Sequence, residues 1–231
     1  MPNGIRRMFS EVAPRYELVN KVITVCLDSY WRRLAARLAC VGSVSRLLDL
    51  CSGTGNMALA LAEAAKCNPT IVAVDFCPQM AIMAAYKLRN VGVVAVVADA
   101  KALPFADGSF DSVTISFGVR NIFTTRAAFI QCLNEVKRTL KTGGKIVLLE
   151  TSQPKLRIVR RLFHWYVRFV VRRVGGWLSG SARAYQYLSE TIQRFTDADE
   201  LRGILSDVGF KHPIVIPLLF GIIAIHVAVK G

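Results

Sequence analysis

Leu47-Leu48-Asp49-Leu50-Cys51-Ser52-Gly53-Thr54-Gly55 is an apolar run holding one acid and ending in a turn of small residues. A second apolar run, Ile71-Val72-Ala73-Val74, ends in another acid, Asp75. The pattern predicts a strand, a tight turn and a helix, with the second strand beside the first. Open α/β folds build nucleoside pockets outside the carboxyl ends of such strands. These two motifs therefore predict a nucleoside site and leave open which nucleoside it takes.

The same rhythm continues outward. Further strands are expected at Val93–Ala98, Ser112–Ser116 and Lys145–Glu150, with helices at Asn56–Lys66, Pro78–Asn90 and Thr125–Leu140. Phe129, Leu133, Val136 and Leu140 share one face of the last helix, and Gly143-Gly144 is expected to stop it. Such alternation implies an α/β fold with a mostly parallel sheet and helices on both faces. Upstream, Leu18, Val22, Leu27, Trp31, Leu34 and Leu38 recur at helical spacing, so residues 1–42 read as a helical cover. Residues 43–153 form the α/β core. Residues 154–195 break the rhythm as an inserted helical lid. Residues 196–231 hold a helix over Asp197–Val208, capped by Thr196 and stopped by Gly209, and then apolar strands that close the sheet antiparallel. The whole reads as a single domain. Pro213 to Val229 is apolar but short of the roughly 20 residues a membrane span needs. Pro217 and Gly221 interrupt it, so it is read as two strands around a turn.

Composition narrows the partners. The 231 residues are 53% hydrophobic, ample for a core, and carry a formal charge of +14, which favours an anionic partner such as nucleic acid or anionic lipid. The six cysteines show no C-x-x-C spacing and read as buried free thiols in a reducing compartment. The three histidines are scattered, so no metal site is expected. Met1 to Arg15 is polar and basic, without the apolar segment of a secretory leader, and a cytoplasmic location is expected.

Gly53-x-Gly55-x-x-Ala58 followed by Asp75 satisfies the loose dinucleotide fingerprint and alone would support NAD. Three features oppose it. Asp49 lies four residues before Gly53, where a carboxylate repels a pyrophosphate but suits ammonium and sulfonium charges. Asp99-Ala100 ends the third strand, where an acid can accept a hydrogen bond from an adenine amine. Leu103-Pro104-Phe105-x-x-x-Ser109-Phe110-Asp111 and Leu140-Lys141-x-Gly143-Gly144-Lys145 lead into the fourth and fifth strands.

With these motifs the chain resembles the class I methyltransferases that use S-adenosylmethionine. The resemblance implies a cofactor site at Gly53, Thr54 and Gly55 for the methionine part, Asp75 for the ribose, and Asp99 with Ala100 for the adenine. Four further segments narrow it: Phe9-x-x-Val12-Ala13-x-x-Tyr16-Glu17-x-x-Asn20 with Trp31; Thr114-Ile115-Ser116-Phe117-Gly118-Val119-Arg120-Asn121; Glu150-x-Ser152-x-Pro154; and Tyr185-x-Tyr187-Leu188-x-Glu190-x-Ile192. Together they look like the ubiquinone/menaquinone biosynthesis C-methyltransferases, over nearly the whole chain. That family methylates a ring carbon of a polyprenylated quinol, and Ser116 matches a position lining its cofactor pocket. The chain departs from the family pattern at Glu17, Val19, Thr24 and Asp28, where Asp, Met, Ser and His are usual, and at Thr142, usually Pro.

The implied reaction needs a nucleophilic ring carbon beside a hydroxyl that loses its proton. A phenol of pKa about 10 needs help near neutral pH. Arg120 stays protonated, which makes it a charge partner for the developing phenolate rather than a base. Asn121 is expected to orient a ring oxygen, and Tyr185 and Tyr187 to stack on the ring or relay a proton. The plain alternative is that Arg120 and Asn121 only hold the loop after the fourth strand. Between Lys155 and Arg173, Arg157, Arg161, His164, Arg168 and Arg172 form one helical stripe among Leu162, Phe163, Tyr166, Phe169 and Val170. A basic, aromatic helix of this kind suits the surface of an anionic membrane. It also suits RNA, by stacking beside arginine, so an RNA methyltransferase is the competing reading and a non-catalytic membrane scaffold a third. The lid motif and Ile115–Asn121 favour the quinol enzyme, with no nucleic-acid partner.

Overall fold

The computed structural model describes residues 3–231. Seven strands form one sheet: β1 (Arg46–Leu50), β2 (Thr70–Asp75), β3 (Val93–Val97), β4 (Phe110–Ser116), β5 (Leu140–Thr151), β6 (Phe210–Leu218) and β7 (Ile223–Lys230), in the order β3-β2-β1-β4-β5-β7-β6. Strands β1 to β5 pair in parallel, and β7 runs antiparallel to both β5 and β6. The strand order reverses between β1 and β4, which is where an open sheet leaves a crevice at its carboxyl edge.

Strand alternation sends successive side chains to opposite faces and so builds two cores. On one face Leu48, Leu50, Val72, Val113, Ile115 and Leu148 pack against Phe129 and Leu133 of α7 (Arg126–Thr139) and Leu201 and Ile204 of α11 (Ala198–Asp207). On the other, Leu47, Ile71, Val147 and Ile225 meet Ala35 and Ala39 of α3 (Leu27–Ala39), Leu61 of α4 (Asn56–Ala64) and Leu88 of α5 (Pro78–Leu88). Each fully buried Leu, Ile or Phe contributes about 1.5–3 kcal/mol, so the two layers fix the sheet.

A third apolar cluster lies beyond the carboxyl edge of the sheet. Val12 of α1 (Asn3–Val12) and Val19 of α2 (Tyr16–Ile23) join Phe163 of α8 (Arg157–Tyr166), Val167 and Val171 of a π-helical stretch (Val167–Val171), and Tyr185 and Ile192 of α10 (Ala182–Arg194). The N-terminal cover, described from residue 3, and the inserted lid thus pack on each other. α9 (Arg172–Ser179) joins the lid helices, and the short α6 (Val119–Ile122) follows β4.

Several expectations change in detail. Helix α7 ends at Thr139, whose hydroxyl turns back to the Glu135 and Val136 carbonyls at 3.1 Å, and Leu140 is already extended. Gly143, at φ +77°, therefore turns within the first part of β5 instead of stopping the helix. The cap of α11 is Asp197, which accepts from the Glu200 amide at 2.9 Å, while Thr196 hydrogen-bonds the Glu200 side chain. Six cysteines are free, but only Cys77 and Cys132 are buried; Cys26 and Cys67 are exposed. Pro213 to Val229 is the β6–β7 hairpin, and among the described residues no helix is long and apolar enough to cross a membrane.

The basic stripe is also redrawn. His164 is half-buried and its Nε2 pairs with Gln153 Oε1 at 2.8 Å, so it points back to the body of the protein while Arg157, Arg161, Arg168 and Arg172 are exposed. Phe163, Val167 and Val171 form the inward face, and Leu162 and Trp165 remain outside.

Candidate active site

The turn after β1 is held in a left-handed path. Cys51, Gly53 and Gly55 have φ of +58°, +54° and +84°. At Gly55 a Cβ would lie 2.6 Å from Leu88 Cδ1, so this position takes glycine on both conformational and packing grounds. Asp75 braces the turn from β2: its carboxylate accepts from the amides of Gly53 at 2.8 Å and Cys77 at 2.9 Å. Asp49 lies beneath the turn with no exposure, holding one hydrogen bond from Thr114 Oγ1 at 3.0 Å. Burial pushes its carboxyl up to about 7, against the smaller opposing effects of Thr114 and Arg32. Burial raises Asp75 as well. Asp49 Oδ2, Ser52 Oγ and Ser116 Oγ are buried without a hydrogen-bond partner. Native proteins rarely leave such groups unmet, and here they gather at the carboxyl ends of β1 and β4. Asp99 and Ala100 follow β3, and Asp99 accepts from the Lys101 amide at 3.0 Å.

Next to this turn, between cover and lid, is a cavity of about 580 Å³ walled mostly by hydrocarbon and aromatic side chains. Tyr16 belongs to both places: it lines the cavity, and its Cε1 lies 3.9 Å from where a Gly53 Cβ would be. Arg120, Asn121, Tyr185 and Tyr187 all line the cavity. Arg120 is buried and pairs with Glu150 Oε1 at 2.5 Å, and it reaches Thr151 Oγ1 at 3.3 Å. Its Nε has no partner. Glu150 also takes the amides of Arg120 and Thr151 at 3.3 and 2.8 Å. Burial raises the Tyr185 phenol well above its ordinary value, with Tyr16 adding to it, so Tyr185 faces the cavity as a neutral phenol. Burial raises Tyr187 too, partly offset by the charge of Arg120.

The profile of the ubiE/COQ5 methyltransferase family matches residues 2–230. The chain belongs to the ubiE/COQ5 methyltransferase family. It is 39% identical to a ubiquinone/menaquinone biosynthesis C-methyltransferase of Geobacter sp. (strain M21), over 98% of this chain and 96% of the relative. It is 40% identical to a demethylmenaquinone methyltransferase of Thermus thermophilus, over 95% and 98%. The fold is similar to a SAM-dependent methyltransferase structure from Thermotoga maritima, with a TM-score of 0.64 and 19% identity over 97% of this chain and all of that one. The fold is thus the class I methyltransferase fold, and the methyl donor of this enzyme is S-adenosylmethionine.

The residues present fit that donor. A glycine turn without side chains, a braced acid after β2 and unmet buried hydroxyls at the strand ends make a polar cradle for a nucleoside carrying an amino acid. Asp49 and Asp75, when ionised, would give it a negative field that suits a sulfonium. Asp49 is sealed from the surface, so its influence passes through the turn rather than through an open contact.

Three residues of the site were not assigned roles from the sequence. Glu150 lay inside a recognised motif, but its pairing with Arg120 spans 30 positions and needs the β4–β5 register to be seen. Gly118 is set by close approach: a Cβ there would lie 2.5 Å from Cys51 Cβ. Phe117, at φ +56°, carries Trp31 at 6.3 Å and the Arg32 guanidinium at 5.2 Å from its ring centre. An aromatic followed by glycine after an apolar strand was the only local signal for the last two.

Proposed function

We propose that the enzyme methylates a ring carbon of a polyprenylated quinol, demethylmenaquinol or the equivalent ubiquinol precursor. The observation that carries this is the apolar cavity of about 580 Å³ beside the glycine turn, with Arg120, Asn121 and Tyr185 among the few polar groups on its wall. The names carried by the Geobacter and Thermus relatives support the same substrate class.

The donor supplies a methyl group already activated on a sulfonium, so the protein's task is to hold the acceptor carbon in line and raise its electron density. In this reading residues 43–153 hold the donor, and the cover and lid (3–42 and 154–195) enclose the acceptor and exclude water. Gly53, Thr54, Gly55, Asp75, Asp99, Ala100 and Ser116 contact the donor. Arg120, locked by Glu150, offers its positive charge and the free Nε–H to the ring oxygen as that oxygen becomes anionic, directly or through a water. Asn121 orients the same oxygen. Tyr185 packs on the ring and donates from a neutral hydroxyl, since its raised phenol disfavours a relay through tyrosinate.

The prenyl tail needs a hydrophobic exit, and its source is a bilayer. Leu162, Phe220 and Val25 line the cavity and are also strongly exposed. The lid also exposes Leu156, Ile158, Trp165 and Trp177, interleaved in sequence with its arginines. Exposed apolar residues at the cavity mouth and a lid rich in exposed arginines suit peripheral attachment to the anionic inner face of a membrane.

The test is transfer of labelled methyl to three acceptors: a demethylated naphthoquinol, the benzoquinol precursor and bulk RNA. Label in a quinol supports the reading. Label in RNA alone replaces it with the nucleic-acid alternative.

A further inference from the structure

A carboxylate in the cavity wall has no role in this mechanism. Asp28, in the first turn of α3, lines the cavity at 4% exposure, and Arg32 one helical turn later is buried beside it. Arg32 Nη1 pairs with Asp28 Oδ2. The guanidinium lies over the Phe117 ring at 5.2 Å, which fixes it on the wall. Asp28 Oδ1 faces Thr24 Oγ1 at 3.1 Å. That hydroxyl has one hydrogen, and the Asn20 carbonyl is nearer at 2.7 Å. Oδ1 is therefore the less satisfied oxygen of a carboxylate set in an apolar wall.

A buried ion pair of this kind is a poor device for stability. Desolvation offsets its attraction, and apolar replacements of similar volume are often neutral or better. A carboxylate with acceptor capacity to spare is, in contrast, a specific tool for a ligand that donates. The two redox forms of the substrate differ in this property alone at their ring oxygens. The quinol carries O–H donors; the quinone carries only acceptors, which a carboxylate repels. Only the quinol is nucleophilic enough to take a methyl group, so a cavity that prefers it avoids occupation by the inert form.

We propose that Asp28 accepts a hydrogen bond from a ring hydroxyl and makes the cavity select the reduced ring over the oxidised one. Arg32 holds its carboxylate in place. This rests on the quinol reading above.

The test is equilibrium binding, without turnover, of a short-tailed demethylated naphthoquinone and its anaerobic naphthoquinol to the full chain. Wild type is expected to favour the quinol by roughly tenfold or more, the size of one hydrogen bond to a charged group. Asp28→Asn, whose amide can donate to a carbonyl, is expected to bring the ratio near one or invert it. Asp28→Glu is expected to restore a preference for the quinol. An unchanged ratio in Asp28→Asn, with S-adenosylmethionine binding intact, overturns the proposal. If Asp28→Asn fails to fold, Thr24→Val decides: it frees Oδ1 and should keep or raise the ratio, and a fall to unity overturns the proposal. If wild type binds the donor but neither ring form, the quinol reading itself fails.

Discussion

Arg120 and Glu150 form a buried ion pair, 2.5 Å apart, that joins the loop after β4 to the end of β5 and puts a guanidinium on the wall of the acceptor cavity. The pair does two jobs that mutation separates. Arg120→Ala removes the charge offered to the ring oxygen. It is expected to keep donor affinity by calorimetry while lowering kcat by about 10²–10³, the usual size of one lost oxyanion donor. Near-normal turnover with saturating quinol would reduce Arg120 to a loop anchor.

Glu150→Gln leaves Arg120 buried without its counter-charge. Breaking such a pair from one side costs about 3–5 kcal/mol, so the expected result is a clear fall in Tm as well as in activity. Arg120→Ala breaks the same pair from the other side and should lower Tm by a similar amount, so turnover is compared well below both melting temperatures, where only Arg120→Ala lacks the charge offered to the ring.

Gly118 and Cys51 make a second separable pair. Gly118→Ala drives a Cβ to 2.5 Å from Cys51 Cβ and should destabilise by about 1–3 kcal/mol. Cys51 has φ +58°, so glycine there is conformationally at ease. The double variant Gly118→Ala/Cys51→Gly should recover most of the loss in a chemical denaturation series.

Asp49 gives the protein a pH signature. Its carboxyl is pushed up to about 7 by burial, above the ordinary value of about 4 that it has unfolded. Its contribution to stability is therefore fully present below about 4 and is lost as the pH rises through about 7. The donor's positive charges favour the ionised form, so donor binding releases a proton there. Affinity for S-adenosylmethionine is expected to be level above about pH 7 and to fall by up to tenfold per unit below it. Calorimetry in buffers of different ionisation enthalpy reads the released proton, and Asp49→Asn should abolish it.

The sheet was legible because β1, β2, β3 and the second half of β5 are apolar runs closed by turn signals, β4 alternates apolar with polar residues, and the site acids fall at or near the strand ends. Glu17 shows where legibility stops. In the structure it pairs with Lys87 of α5 at 2.7 Å, tying the cover to the cofactor half of the sheet; burial is the largest effect and raises its carboxyl, but Lys87, Thr54 and Lys21 together bring it below its ordinary value. Nothing near Glu17 in sequence announces Lys87. The lid was misread in part for the same reason. Spacing put His164 on the arginine stripe, but its inward bond to Gln153 depends on a loop eleven residues away. Thr196 was read as the cap because its residue type suits one, but the backbone geometry puts Asp197 in that place.

The membrane reading is tested by changing the rim and not the cavity. Trp165→Ser with Trp177→Ser removes two exposed aromatics, at 59% and 81% exposure. Co-sedimentation with anionic vesicles is expected to drop several-fold, while turnover of a short-tailed, water-soluble quinol stays within about twofold. Equal binding of variant and wild type would move the contact elsewhere.

The central claim is carbon methylation of a quinol ring in the cavity between cover and lid. Its most direct measurement is the product itself, made with a carbon-13 methyl donor and a demethylated prenyl naphthoquinol under anaerobic conditions. The account predicts one new aryl-methyl carbon resonance, gained by wild type and largely absent with Arg120→Ala. A methoxy resonance, or label found in RNA and not in the ring, would contradict it.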